Sequence, residues 1–157
     1  MHFGRALYSI TSGDILTVIS PIDYLFCGFV LLCSLIVGAL LSYKYGVAKP
    51  APWIWNALGT LLVLSVVTAN ATVRLDGRQG KVYITRVLFF YPTRNVYDLT
   101  GLQGATIGSS EQSDALRLVF SNGTQLQLTP FNQMDGKNLA AAAINQFVQQ
   151  HGGTGIQ

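Results

Sequence analysis

Two uncharged, apolar stretches separated by a short polar break dominate the first half of the chain. They cover residues 24–43 and 53–72, and neither contains Asp, Glu, Lys or Arg. At a rise of 1.5 Å per residue, about 20 helical residues span the ~30 Å hydrocarbon core of a bilayer. The break at residues 44–52 is Pro-containing and long enough only for a turn between antiparallel helices. The pattern therefore predicts a transmembrane helical hairpin over residues 21–72.

Two alternatives fit this pattern less well. Buried helices of this length in a soluble protein usually carry a polar face. A cleaved signal peptide begins nearer the N-terminus, follows a basic region and is not followed by a second span. Ser20, Pro21 and Asp23 supply a cap, a first-turn proline and a first-turn acid. These residues predict that the first helix begins near Pro21, and it is expected to end around residues 45–46.

The pattern outside the hairpin is not that of a membrane helix. Residues 1–20 mix polar and apolar positions without a helical period, which predicts an interfacial or flexible segment. After residue 71 the apolar positions alternate, as in half-buried strands. The predicted strands cover residues 72–76, 81–91, 96–99, 102–107, 115–120 and 125–129, with a break at residues 92–95 and an Asn122-Gly123 hairpin turn.

A C-terminal amphipathic helix completes the predicted elements. It begins at Asp135 or Asn138, reaches about Gln150 and carries an apolar stripe that includes Leu139 and Ile144. An antiparallel bent sheet closed by one such helix predicts a small α+β, pleckstrin-homology-like domain over residues 72–151, followed by a flexible tail at 152–157. An ordinary α+β sandwich is the alternative.

Composition supports a small membrane protein and gives little support to nucleic-acid binding. The chain has 157 residues, 11% of them charged, and a mean hydropathy of +0.38. Its net charge of +3 comes from scattered residues rather than from a cluster. Cys27 and Cys33 point in different directions on a helix, which excludes a disulfide between them. No metal-ligand spacing occurs, so neither a metal nor a cofactor is expected.

The sequence also predicts that the protein is not an enzyme. His2 and His151 lie in predicted mobile termini, and the seven acidic residues fall mostly in predicted turns and strand ends. No glycine-rich phosphate loop and no nucleophile motif is present. We therefore expect no catalytic residue and no small-molecule substrate.

A helix face is the first candidate binding site. Ser34, Gly38 and Ser42 recur every four residues, and Asn56 lies on the predicted facing stripe of the second helix. Small residues at this spacing let another helix approach closely. They are predicted to bind a partner subunit, and packing of the hairpin itself is the commoner use of such residues.

The second candidate site is a basic surface formed by Arg74, Arg78, Arg86 and Arg94. Arg74 and Arg86 are expected to face each other across a strand pair. Such a surface suits anionic lipid or an acidic partner, and solvated charge is the alternative. The aromatic run at residues 89–91 is either core or an exposed edge.

Basic residues near the span ends predict the orientation. The side that holds both termini carries Arg5 and most of the arginines, against Lys44 and Lys49 in the loop. The excess favours both termini in the cytoplasm or the stroma. The predicted location is a thylakoid or bacterial plasma membrane.

One motif resembles a known family. After the two spans the chain reads Arg74-x-Asp76-x-Arg78-x-Gly80-x-Val82-x-Ile84-x-Arg86, followed by Phe89, Arg94-Asn95 and Gln127-Leu128-Thr129. This order resembles the two-span photosystem I assembly factor of chloroplasts and cyanobacteria. Where that family has a Pro-Gly turn, this chain has Tyr91-Pro92-Thr93.

The resemblance implies a non-catalytic scaffold that binds and stabilises, or helps assemble, a larger membrane complex. Its expected partners are membrane lipids and photosystem I subunits. The alternative is a related bacterial membrane-anchored pleckstrin-like protein that binds anionic lipid or a protein partner outside photosynthesis.

Overall fold

The computed structural model describes residues 6–46, 50–110, 113–128 and 135–152. Within these ranges, three α-helices and eight strands follow one another, with a single 3₁₀ turn at Leu99–Gly101. The elements are β1 (Tyr8–Ser12), β2 (Ile15–Ile19), α1 (Tyr24–Tyr45), α2 (Pro50–Val67), β3 (Asn70–Asp76), β4 (Lys81–Leu88), β5 (Tyr91–Asp98), β6 (Leu102–Ser110), β7 (Ser113–Phe120), β8 (Gln125–Gln127) and α3 (Lys137–Gln150).

The strands form two antiparallel sheets. One contains five strands in the order β1-β2-β3-β4-β5, and the other contains β6-β7-β8. α3 packs mainly on β6, while α1 and α2 pack on each other. Two long apolar helices, antiparallel sheets and a C-terminal helix are thus all present, which confirms the coarse fold prediction. The Asn122-Gly123 hairpin between β7 and β8 is also confirmed.

A single apolar core lies between the five-stranded sheet, the three-stranded sheet and α3. Every second side chain of a strand faces this core. In β3, for example, Val73 and Leu75 are buried, while Arg74 between them is exposed. From α3 the core receives Ile144 and Phe147, whereas Leu139 is 75% exposed. The apolar stripe predicted for this helix is therefore right except at Leu139, its N-terminal member.

The helical hairpin is inserted between β2 and β3 rather than placed before the whole sheet. Residues 8–19 form the β1–β2 hairpin, with the Gly13 turn at φ +58. The predicted interfacial or flexible segment is therefore wrong for these residues. Leu16 and Val18 face the core while their neighbours do not, and this two-residue period belongs to a strand. The folded domain accordingly begins well before residue 72.

The start of α1 and the end of α2 differ from the predicted ones. Asp23, not Ser20, caps α1, since its carboxylate accepts a hydrogen bond from the Phe26 N–H at 3.0 Å. The Ser20 N–H instead donates to the Ala71 carbonyl at 2.9 Å and extends the sheet. The predicted end of α1 at residues 45–46 is confirmed. α2 stops at Val67, and Asn70, assigned to the helix from sequence, opens β3.

The turn between β4 and β5 was placed wrongly by the sequence pattern. The structure turns at Phe89-Phe90, where both residues have positive φ (50 and 59), and Pro92 lies inside β5 opposite Val87. Phe rarely adopts this backbone region, and turns of this kind usually contain Asn-Gly. Because Phe-Phe stands here instead, the sequence does not indicate a turn. Pro92 is tolerated because β5 is an edge strand and needs no ladder donor on its open side.

The five-stranded sheet has two distinct ends. At its helix-proximal end β2 stops at Ile19 and β3 starts at Asn70, next to the two helices. At its helix-distal end lie the β1–β2 and β3–β4 turns. Since strand directions alternate, the Phe89-Phe90 turn lies at the helix-proximal end.

Candidate functional site

The small residues of α1 contact α2 rather than an open surface. Asn56 Nδ2 donates to the Ser34 carbonyl at 3.1 Å and approaches Ser34 Oγ at 3.3 Å, while Thr60 Oγ1 lies 2.6 Å from that hydroxyl. The Ser42 hydroxyl donates to the carbonyl of Gly38 within the helix at 3.0 Å. In an apolar surrounding, where water is not available as a hydrogen-bond partner, these bonds satisfy the polar groups. The structure therefore uses the stripe to pack the hairpin.

Gly38 is a point where α2 side chains come close to the backbone of α1. A Cβ atom added there would lie 2.6 Å from Trp53 Cζ3 and 3.3 Å from Asn56 Nδ2. Trp53 thus covers the glycine and occupies the space that a partner helix would need. Ser34, Gly38 and Asn56 thus have neighbours within the hairpin, and Ser42 bonds within its own helix. The partner-binding role predicted for these four residues stays a prediction.

The outward faces of α1 and α2 are apolar and uncovered. Both helices are long and apolar enough to cross a membrane, and only 6% of the most apolar window of each is buried. Large side chains such as Leu35, at 69% exposure, point away from the rest of the chain. Core helices of soluble proteins are buried, so this exposure calls for an apolar surrounding.

The four arginines predicted as one basic surface occupy three separate places. Arg78 lies in the β3–β4 turn at the helix-distal end, where its Nε donates to Asp14 Oδ2 at 2.9 Å. This bond raises the pKa of Arg78, and a hydrogen bond to Asp98 likewise raises the pKa of Lys81 nearby. Each of these two cations already has a carboxylate partner.

Arg74 and Arg94 lie on the outer face of the sheet, on either side of Tyr83. Arg74 is paired across the sheet with Tyr83 and contacts Asp76 Oδ2 at 3.4 Å. The Arg94 guanidinium lies over the Tyr83 ring, 5.1 Å from its centroid. Arg74 does not face Arg86, which pairs with Ala71, so that prediction is wrong.

Arg86 is on the inner face of the sheet, at its helix-proximal end. It shares the alternation of Val82 and Ile84, which are buried, and its Nη2 donates to the Gln127 carbonyl of the second sheet at 2.6 Å. Its Nε is buried and has no hydrogen-bond partner among the described residues. A cavity of about 320 Å³ lined by Arg86, Asn70 and Leu88 opens beside it. Of the four arginines, only Arg86 lines this cavity.

A second, larger cavity lies where α1 leaves the sheet. Its volume is about 480 Å³, and its lining includes Tyr8, Ser20, Tyr24 and Asn70. Asn70 lines both cavities. Both of these cavities lie at the helix-proximal end of the five-stranded sheet.

An exposed aromatic turn is the feature that sequence reasoning did not resolve. Leu88, Phe89, Phe90 and Tyr91 are 46%, 58%, 51% and 70% exposed at the tip of the β4–β5 hairpin. The sequence left this run as either core or exposed edge, and the structure places it on the surface. The unbroken apolar run from Val87 to Pro92 was the available signal, since a buried strand face needs only every second residue.

The described residues bring together no arrangement suited to metal binding. No group of three His, Cys, Asp or Glu side chains meets in residues 6–46, 50–110, 113–128 and 135–152. The buried Asp76 accepts from the Gln79 N–H at 3.0 Å and serves the β3–β4 turn. His151 follows α3 and stacks on Phe147, with ring centroids 4.2 Å apart. His2 lies outside the described residues.

Comparison with known proteins yields no match to any protein-family model and no similar curated protein.

Proposed function

We propose that this chain is a non-catalytic membrane scaffold, in which α1 and α2 cross a bilayer and the sheet domain holds a subunit of a larger membrane complex. The observation that carries the proposal is the apolar outer surface of the helical hairpin, left uncovered by the rest of the chain. Water is a poor solvent for such a surface, and lipid is a good one. Pairing of β2 with β3 supports an arrangement in which β1, β2 and the described residues after α2 lie on one side of the membrane.

The proposed domain is pleckstrin-like. Two antiparallel sheets around one core, with a C-terminal helix packed on β6, have the outline of that fold. Both edges of the five-stranded sheet, β1 and β5, are open to a partner strand within the described residues. An extended peptide added to such an edge is a common way for a small domain to hold another protein.

A photosynthetic role for this scaffold rests on the sequence motif alone. The proposed partners are photosystem I subunits, and the proposed location is a thylakoid or bacterial plasma membrane with both termini on the cytoplasmic or stromal side. These features follow from the resemblance and from the distribution of basic residues.

Extraction of native membranes tests the proposal. The full chain, tagged at one terminus, should stay in the membrane pellet after alkaline wash and enter solution only with detergent. Affinity capture from mild detergent, followed by identification of the captured proteins and an absorption spectrum, tests the complex. A chain that stays monodisperse in solution without detergent contradicts the scaffold, while capture of a membrane complex without pigment contradicts only the photosynthetic role.

Arg86 supports a second candidate function, the binding of an anionic lipid headgroup. Its buried Nε faces no described acceptor, and the cavity beside it lies at the helix-proximal end. A phosphate oxygen is a strong acceptor for such a donor. In mixed micelles, phosphatidylglycerol should raise the unfolding temperature of the wild type more than that of R86Q.

The control for R86Q is R78Q, because Arg78 lies at the opposite end of the sheet and is paired with Asp14. R78Q should keep the wild-type response to phosphatidylglycerol. An equal response from R86Q contradicts lipid binding at Arg86 and leaves the scaffold proposal untouched.

A further inference from the structure

We propose that the aromatic turn, residues Leu88 to Tyr91, is a third contact with the bilayer, seated in the interfacial layer of the leaflet that faces the sheet domain. This inference rests on the proposed function in one respect, namely that α1 and α2 cross the membrane. The occupant of the turn's exposed surface is then lipid, supplied by the same bilayer that holds the helices.

The position of the turn follows from strand register. Val87 pairs with Asn70, the first residue of β3, so the turn projects beyond the helix-proximal end of that strand. Two further residues at ~3.3 Å each carry the tip about 7 Å past Asn70. Asn70 comes three residues after Val67, the last residue of α2, so their Cα atoms are at most about 11 Å apart. The tip therefore comes close to the level of the last helical turn.

Tyr24 marks the same level on the other helix. It is the first residue of α1, it is largely exposed, and it lines the larger cavity at the helix-proximal end. Tyrosine is enriched where a membrane helix meets the headgroup layer, because its ring is apolar and its hydroxyl is polar. Tyr91 at the base of the turn has the same chemistry and is 70% exposed.

The charge pattern of the hairpin fits a lipid surface. The run from Val87 to Thr93 contains no charged residue, and Arg86 and Arg94 stand directly on its two sides. Arginine close to the water–lipid boundary meets phosphate, while the apolar tip beyond it meets acyl chains. The hairpin thus matches one bilayer leaflet, with its uncharged tip at the level of the acyl chains and its two cations at the level of the phosphates.

The backbone of the turn adds an independent observation. Phe89 and Phe90 both adopt positive φ, although this conformation disfavours residues with a Cβ and is usually filled by Asn-Gly. Each phenylalanine therefore costs backbone energy and exposes apolar surface to water. Strained residues of this kind occur where another surface makes use of their side chains. Contact with lipid supplies that compensation.

Depth-dependent fluorescence quenching tests the contact in the full chain. Cys27 and Cys33 are replaced by Ala, a single cysteine is introduced by F90C, and an environment-sensitive dye is attached. The protein is reconstituted in phosphatidylcholine vesicles containing phosphatidylglycerol. Lipid spin-labelled near the headgroup end of its acyl chain should quench the dye strongly, and aqueous iodide should quench it several-fold less than a dye on T100C.

Thr100 is the matched control because it is exposed and lies at the helix-distal end of the sheet, beside the end of β5. A dye on L35C, in the middle of α1, reports the bilayer crossing separately. Iodide quenching at F90C equal to that at T100C, with L35C protected, overturns the turn contact alone. Iodide quenching at L35C overturns the membrane hairpin, and with it both proposals.

The double variant F89N/F90G separates the turn's side chains from its shape. Asn-Gly suits the positive φ values and keeps the hairpin, so folding is retained. A dye on Y91C should lose most of its quenching by lipid in this variant and keep it in the parent. If F90C fails to fold, the Y91C comparison decides the same question. Unchanged lipid quenching of Y91C in F89N/F90G shows that the phenylalanines do not hold the turn in the bilayer.

Discussion

The absence of a side chain at Gly38 sets the spacing of the helical hairpin. Trp53 lies where a Cβ would be, and Asn56 reaches past it to Ser34. The sequence showed the spacing of the small residues but not which helix packs against them, because the sequence of one helix does not reveal its neighbour. The same limit applies to the arginines, whose places depend on strand register rather than on their order in the chain.

Replacing Gly38 by Leu should destabilise the hairpin. The added side chain collides with Trp53 and costs about 1–3 kcal/mol, as overpacking generally does. Thermal unfolding in detergent, followed by Trp fluorescence, measures the loss. The matched control is G28A in the same helix, where nothing lies within 4 Å of the added Cβ. Equal stability of G38L and G28A would show that the helices do not approach at this residue.

The strained turn makes a second prediction at the scale of residues. In a version of the sheet domain whose residues 21–70 are replaced by Asn-Gly, studied without lipid, F89N/F90G should be more stable than the parent by about 1 kcal/mol or more, because both positive φ values are relieved. Chemical denaturation measures the difference. A less stable double variant would show that the phenylalanines are held by packing within the domain.

At the scale of elements, regular periods were predictable, whereas several of their ends were not. Two helices, the Asn-Gly hairpin and α3 follow from period and turn residues. β1 and β2 were missed because Leu16 and Val18 alternate over too short a stretch to stand out beside the apolar residues that neighbour them. α2 was drawn too long because nothing local distinguishes Thr68 and Ala69 from helix.

Asn145 fixes α3 to the three-stranded sheet in the manner of an additional strand. Its Oδ1 accepts from the Ala105 N–H at 2.7 Å and its Nδ2 donates to the Ala105 carbonyl at 3.0 Å. This pair sits one residue after the register shift at Gly104, where β6 departs from regular pairing. The helix thereby satisfies backbone groups of β6, which is an edge strand of the three-stranded sheet.

Truncation of Asn145 tests this attachment. N145A leaves the Ala105 N–H and carbonyl without partners and should cost about 1–3 kcal/mol. Q146A is the control, because Gln146 is the adjacent residue of α3 and is exposed. Unfolding by denaturant measures both variants. A loss no larger in N145A than in Q146A would mean that α3 is held by its apolar face alone.

At the scale of the whole molecule, the sheet domain and the helical hairpin are two bodies joined through neighbouring strands. Ser20 and Ala71 are hydrogen-bonded although fifty residues lie between them, so the hairpin leaves the sheet and returns to it at one place. The core contains Leu16, Val73 and Ile144 but no residue of α1 or α2. The domain therefore has the apolar contacts it needs without the helices.

Replacing residues 21–70 by Asn-Gly should give a soluble, folded domain. Ser20 and Ala71 already stand opposite each other, and a two-residue turn connects such a pair. Circular dichroism and a cooperative thermal transition measure folding. The same replacement combined with L16D should not fold, because Leu16 is 1% exposed in the core. F89N/F90G removes the exposed phenylalanines, which could themselves cause aggregation. If the domain without residues 21–70 aggregates both with and without F89N/F90G, it does not fold independently of the helices.

Pairing of Ile19 with Thr72 also fixes an order of events during synthesis. The nascent β1–β2 hairpin leaves the ribosome before either helix. Its β2 edge stays unpaired until β3 emerges. In a free chain, closing a gap of about 50 residues costs on the order of 3 kcal/mol of entropy. Under the proposed bilayer crossing, release of both helices into the lipid would bring the two strand ends together beforehand. The membrane would then act as a folding template for the sheet domain.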